Sequence, residues 1–292
     1  MNEAILRPSR PGDEAALKKV WAESFHDSME FLDLFFRKHY RPGMSTLMEC
    51  DGEPVSCIFT LSGTEYVEPG KEPLPCPYVY SLGTLEAYRG RGYGARVIQE
   101  SVRRGFDEER AQWVALLPAE PSLYVWYSHI LGSRTAFWTT EASLYADELP
   151  RVLPGQTAYK TDAASYGRLR ELLLDKKPHV RYSRELLDWQ EQSCRFFGGG
   201  MYLLNLDGQV GCAVVEAQDG FTDIKELLLP EGDIEAAAAL IMSVYPAERL
   251  RLRTPVFWKK PGIGEDREYV VAIPKNEGEM PSPEAWWGLV FD

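Results

Sequence analysis

The segment Tyr88-Arg89-Gly90-Arg91-Gly92-Tyr93-Gly94-Ala95 constrains this chain more than any other. It joins an apolar, strand-like run from Tyr78 to Leu85 to an amphipathic helix pattern over 94–109, where Ile98, Val102 and Phe106 recur at fourfold spacing. Glycines alternating with bulky residues at a strand-to-helix junction give a backbone that wraps an anion. Free N–H groups converge there, and the positive end of the helix dipole lies behind them. Arg89 and Arg91 add charge-assisted hydrogen bonds suited to phosphate. The spacing excludes two common cradles. A dinucleotide fingerprint needs G-x-G-x-x-G, and a P-loop needs a following Lys-Ser or Lys-Thr; the glycines here fall at 90, 92 and 94 with neither dipeptide after them.

The pattern that fits is Arg89-x-x-Gly92-x-Gly94, which resembles the acyl-CoA pyrophosphate loop of the GCN5-related N-acetyltransferase (GNAT) superfamily. The surrounding order agrees with that resemblance. A short strand over Ile5–Pro8 precedes two helices, one starting near Asp13 and one capped by Ser28, and Asp51-Gly52 signals a hairpin. The Tyr78 strand, the loop and its helix follow, then a strand over Trp113–Leu117, a helix opened by Pro118-Ala119-Glu120-Pro121 and closed by Gly132, and a strand over Thr135–Tyr145.

This predicts a GNAT acyl-CoA-binding catalytic domain over residues 1–147. After a linker, Leu149 to Gly155, the pattern restarts. Two helices and a hairpin recur, with Asp207-Gly208 echoing Asp51-Gly52 at an offset of 156 residues. Residues 156–292 are therefore expected to form a degenerate GNAT-like domain. The expected fold class is α+β: two tandem GNAT-like domains, each a mixed, mostly antiparallel twisted sheet flanked by helices. Where the loop should recur the chain reads Leu228-Leu229-Pro230-Glu231-Gly232-Asp233, whose carboxylates would repel a pyrophosphate, so one donor site is expected.

The resemblance implies acetyl-CoA as acyl-donor substrate, with Leu82, Gly83 and Thr84 offering backbone to the pantetheine arm. Arg89, Gly90, Arg91, Gly92, Tyr93, Gly94 and Ala95 would hold the pyrophosphate. Gly83 would allow close approach of the ligand. A splayed strand leaves N–H and C=O groups for that role, one of them an oxyanion donor. For the proton of the leaving thiolate the candidate is Tyr127, with Tyr124 a live alternative because Gly132 lies five residues past Tyr127 where four is usual. No carboxylate or imidazole lies in Tyr78-Val79-Tyr80-Ser81, so a water wire is the simpler base, with His26 and His129 as possible participants. The two early helices imply an acceptor site framed by Phe25, His26, Phe31 and Phe35. In acetyltransferases of the enhanced-intracellular-survival type the chain terminus enters the active site, which makes Asp292, after an apolar strand over 286–291, a further candidate.

Composition narrows the rest. The net charge of −12 disfavours nucleic acid and leaves an amine acceptor open. The acidic start Met1-Asn2-Glu3 is no signal peptide, no run approaches the roughly 18 apolar residues of a membrane span, and no membrane partner is expected. Five cysteines without C-x-x-C or Cys/His clustering point to a cytoplasmic protein with no metal. The reading is an N-acetyltransferase acting on a primary amine of a small molecule or peptide. The alternatives are a non-catalytic acyl-CoA-binding sensor or scaffold and, from a further class, transfer from charged tRNA, which would want a basic groove. Oligomeric state is open.

Overall fold

A computed structural model describes residues 4–218, 220–230, 233–258 and 262–291. Its first half runs β1 (Ala4–Pro8), α1 (Glu14–Phe25), α2 (Met29–Lys38), β2 (Ser45–Cys50), β3 (Glu53–Leu61), β4 (Tyr78–Thr84), α3 (Tyr93–Glu108), β5 (Trp113–Leu116), α4 (Pro121–Leu131) and β6 (Arg134–Thr135). These strands form a sheet in the order β1-β2-β3-β4-β5, then Val271–Pro274, then β6. Neighbours are antiparallel except β4 and β5. The unit built on this sheet comprises Met1–Glu65, Pro73–Thr135 and Val270–Met280.

Local chemistry explains most of these elements. Asp51 and Gly52 take φ of 52° and 86°, the two left-handed residues that a tight two-residue hairpin turn requires. Ser28 caps α2 by accepting from the Phe31 N–H at 3.2 Å. Asp13 differs from expectation: its backbone is already helical, and its carboxylate accepts from the Arg7 guanidinium at 2.7 and 2.9 Å and from the Arg10 N–H at 2.7 Å. The buried stripe of α3 is Val97, Ile98, Ser101, Val102 and Gly105, with Phe106 at its half-buried margin. A Cβ at Gly105 would lie 2.7 Å from Val114 Cγ2, so the glycine lets α3 sit tightly on β5.

The second unit comprises Tyr66–Glu72, Ala136–Tyr269 and Pro281–Asp292. It contains β7 (Trp138–Tyr145), β8 (Thr157–Thr161), α5 (Ala163–Leu174), α6 (Arg184–Phe196), β9 (Gly200–Leu206), β10 (Gln209–Gln218), β11 (Phe221–Leu228), α7 (Ile234–Val244), β12 (Arg249–Thr254) and β13 (Glu265–Glu268). Their sheet order is β8-β9-β10-β11-β12-β7-β13. The strand–helix–helix–hairpin–strand–helix–strand order of the first unit recurs. Asp207 and Gly208 repeat the same turn with φ of 53° and 91°. After the two-residue β6, the long strand β7 lies in this second sheet, and Val271–Pro274 stands between β5 and β6 in the first.

The core of the second unit is a mostly aliphatic layer of α7 against β9–β12, with Ala237, Ala238 and Ile241 meeting Leu204, Val215, Leu227, Leu250 and Leu252. Beside it lies a buried charge. Glu226, wholly inaccessible, accepts from Arg170 Nε at 2.9 Å and Nη2 at 3.2 Å, from Trp286 Nε1 at 2.6 Å and from the Tyr166 hydroxyl. Residues 286–291 do not form the expected strand. Trp286 pairs by backbone with Pro178 and Val180, and beyond it side chains take over: the Leu289 N–H donates to the Tyr182 hydroxyl at 2.8 Å, and the Gly288 carbonyl accepts from the Tyr269 hydroxyl at 3.0 Å. Met1-Asn2-Glu3, Glu231-Gly232, Pro261 and Asp292 lie outside the described residues. All five cysteines are buried free thiols. No described helix is long and apolar enough to cross a membrane.

Candidate functional site

Strands β4 and β5 run parallel yet pair at a single position, Tyr78 against Ala115, where the Ala115 N–H donates to the Pro77 carbonyl at 2.9 Å. On its other edge β4 pairs with β3 but carries a bulge. The register shifts between Cys57 and Phe59, and Ser81 takes a φ of 54°. At Leu82, Gly83 and Thr84 the edge of β4 that faces β5 has no ladder partner among the described residues. A cleft of about 1110 Å³ opens there, entirely within the first unit. One wall is Leu82, Gly83 and Thr84 of β4; another is Leu123, Trp126 and Tyr127 of α4.

The glycine loop closes one end of the cleft. Gly90 and Gly92 both have φ of 75°, with open space where a Cβ would stand. Their requirement is thus conformational, since a left-handed backbone is strained for other residues. Gly92 is the N-cap of α3 and, having no side chain, leaves the first-turn N–H groups of Tyr93, Gly94 and Ala95 without a side-chain acceptor. The first turn contains no acidic residue. Arg89 bends back so that its Nε donates to the Thr84 carbonyl at 3.1 Å. Thr84 is fixed in turn by the Ser56 hydroxyl at 2.8 Å. This end of the cleft is a set of unspent N–H donors beside a guanidinium, which suits a diphosphate.

Of the expected donor-site residues, Leu82, Gly83, Thr84, Arg89, Gly90, Gly92, Tyr93, Gly94 and Ala95 line the one cleft. Arg91 is not in that set; it donates to the Ala87 carbonyl at 3.0 Å and lies 5.0 Å from the Tyr88 ring centroid. Gly83 has a reason other than ligand approach. A Cβ there would fall 2.6 Å from Ser24 Oγ and 3.1 Å from Val20 Cγ1, so the glycine admits α1 against the sheet.

Tyr127 lines the cleft at 7% exposure, and burial pushes its phenol up to about 12. Tyr124, on the same helix, lies outside the lining set and is half-buried. Phe31 and Phe35 belong to the core, packed on Trp21 with ring centroids at 6.5 and 4.8 Å. Phe25 does reach the cleft, as does its neighbour Ser24, whereas His26 is the exposed left-handed C-cap of α1. His129 is exposed near the end of α4.

Sequence reasoning passed over Glu120. It lines the cleft from the N-cap position of α4, seven residues before Tyr127. That seven-residue spacing was the available signal. Among the described residues of the second unit the matching strands do not part. Strands β11 and β12 pair over four consecutive positions, Phe221–Arg249 to Ile224–Leu252, and the Asp233 carboxylate caps α7 by accepting from the Glu235 and Ala236 N–H groups at 3.1 and 3.2 Å. Among the described residues no group of three or more His, Cys, Asp or Glu side chains is arranged to hold a metal ion.

Residues 6–127 match the family described as the acetyltransferase (GNAT) domain. No curated protein matches the sequence. Among solved structures, a GCN5-related N-acetyltransferase from Anabaena variabilis superposes with a TM-score of 0.71 at 11% identity, over 92% of this chain and 72% of that one. One from Kribbella flavida gives 0.66 at 17% identity, over 93% and 71%. Another, from Sphaerobacter thermophilus, gives 0.57 at 17% identity, over 96% and 98%. At these identities the likeness is one of fold, and it takes in both sheets. The first unit thus carries the match to the acetyltransferase (GNAT) domain, and that match supports acyl transfer as the class of chemistry to test.

Proposed function

We propose that the chain is an N-acetyltransferase that moves the acetyl group of acetyl-CoA to a primary amine of a small molecule or peptide. The observation that carries this reading is the parting of β4 from β5 next to an uncapped, glycine-led α3. It supplies an unpaired strand edge for an amide-bearing arm and a cluster of N–H donors for a diphosphate in the same cleft. Leu82, Gly83 and Thr84 would hold the pantetheine arm; residues 89, 90 and 92–95 would hold the phosphates.

In the reaction the neutral amine nitrogen attacks the thioester carbonyl carbon, forming C–N and breaking C–S. A free N–H on β4 takes the charge that develops on the carbonyl oxygen. The Tyr127 O–H donates its proton to the departing thiolate, and the proton released by the new amide returns to the phenolate through water.

The test is release of free CoA thiol from acetyl-CoA over a panel of amines. Thiol release that requires both substrates supports the reading. Tight acetyl-CoA binding with no turnover on any amine would replace it with a sensor or scaffold role.

A further inference from the structure

Among the described residues, two side chains that line the cleft carry a charge: Arg89 on the loop and Glu120 at the start of α4. Arg89 is turned onto the Thr84 carbonyl, and no ion pair joins it to Glu120. Glu120, an exposed residue, occupies the N-cap of α4; its carbonyl accepts from the Leu123 N–H at 3.0 Å, and its side chain makes no cap hydrogen bond to the backbone. Pro121 follows it and has no N–H to offer. Its contact is the Ser122 hydroxyl, which donates to Oε2 at 3.4 Å. The carboxylate thus stands in the cleft with most of its acceptor capacity unspent.

Other residues lining the same cleft are apolar. Phe25 is 41% exposed and lines the cleft with Leu82, Leu123 and Trp126. Leu123 and Tyr127 share one stripe of α4, and Tyr127 lies about 10 Å along the helix axis from the N-cap position by backbone rise. A carboxylate and a proton donor lining one cleft with aromatic side chains suit a ligand with a cationic head on an apolar body.

We infer that the acceptor is a cationic amphipathic amine, and that Glu120 is the specificity-determining residue that draws its ammonium group into the cleft. The inference rests on the acyl-transfer reading above and adds the acceptor's class to it. Glu120 acts at recognition: it pairs with the ammonium on arrival, and the proton passes to water before nitrogen attacks.

The probes are 2-phenylethylamine and its neutral counterpart 2-phenylethanol, with wild-type protein, Glu120→Gln and Glu120→Lys. Loss of one charge-assisted hydrogen bond in a solvated cleft raises KM for the amine roughly tenfold in Glu120→Gln, and further in Glu120→Lys. The value of kcat stays within about threefold and the acetyl-CoA Kd within about twofold, because the phosphate end is untouched. Ligand-observed saturation-transfer NMR, run without acetyl-CoA, shows the amine bound to wild type and lost in both variants, while the alcohol signal is the same in all three.

An unchanged KM in Glu120→Gln, or a changed acetyl-CoA Kd with KM unmoved, would overturn the inference. So would NMR signals that do not distinguish amine from alcohol. Failure of wild type to bind acetyl-CoA, with the NMR contrast intact, would instead remove the donor reading and leave Glu120 as an amine-binding residue.

Discussion

Gly94→Asp separates folding from donor binding. Gly94 lies in the first turn of α3 with ordinary helical φ, and a Cβ there meets Thr84 Oγ1 at 3.5 Å, a normal contact. A carboxylate in a helix's first turn is favourable by roughly 0.3–1 kcal/mol, and replacing glycine adds a few tenths. The variant is therefore expected to be as stable as wild type, or slightly more so, by urea denaturation. It does for α3 what Asp233 already does for α7, placing a carboxylate against the open N–H groups. A charge about 4 Å from one phosphate charge costs on the order of 4 kcal/mol at an effective dielectric of 20. Screening reduces that, yet half of it still lowers affinity about thirtyfold. Isothermal titration with acetyl-CoA reads the loss directly. A folded Gly94→Asp protein that binds acetyl-CoA as wild type does would refute the assignment of the loop.

Other consequences are equally specific. Tyr127→Phe removes only the phenol oxygen and is expected to lower kcat by roughly a hundredfold or more with the acetyl-CoA Kd unchanged; Tyr124→Phe leaves kcat within a few-fold, and the reverse pattern would move the proton donor to Tyr124. His39 is 5% exposed, and burial, helped by the Arg41 charge, holds its imidazole down at about 4. Between the unfolded value of 6.5 and about 4, the unfolded chain takes up a proton that the folded one refuses. Stability is therefore lost as the pH is lowered through that window, by roughly 3 kcal/mol for this group. In His39→Gln the acid arm of a melting-temperature profile is correspondingly flatter, and an identical arm would contradict this. Arg170→Met leaves Glu226 buried without its cation and is expected to cost roughly 3–5 kcal/mol in urea denaturation. The double variant with Glu226→Gln costs less than the single; additive losses would show that the two groups are not coupled.

What could be read in the sequence was what short-range chemistry dictates. Asp51-Gly52, Asp207-Gly208, Ser28 and the glycines at 90 and 92 act through their own backbone or the next turn, and each sits where its residue type requires. What escaped depends on distant partners. Nothing local tells β7 to join the second sheet, because a strand's partner is chosen by the whole fold. Phe31 and Phe35 have helix-compatible spacing whether they face a ligand or Trp21. Residues 286–291 look like a strand from apolarity alone, yet beyond Trp286 the Tyr182 and Tyr269 hydroxyls bond their backbone. Gly83 was read for its lack of a side chain, but its neighbour is α1. Glu120, an exposed acid before a proline, reads as a helix opener until the cleft around it is seen.

The most direct measurement is hydrogen–deuterium exchange of the whole protein with and without acetyl-CoA. Protection of the backbone amides at 82–84 and 92–95, with none in β11 or the first turn of α7, is the expected result. Protection centred on the second unit, or no protection at the glycine loop despite measured binding, would contradict the placement of the donor in the β4–β5 cleft.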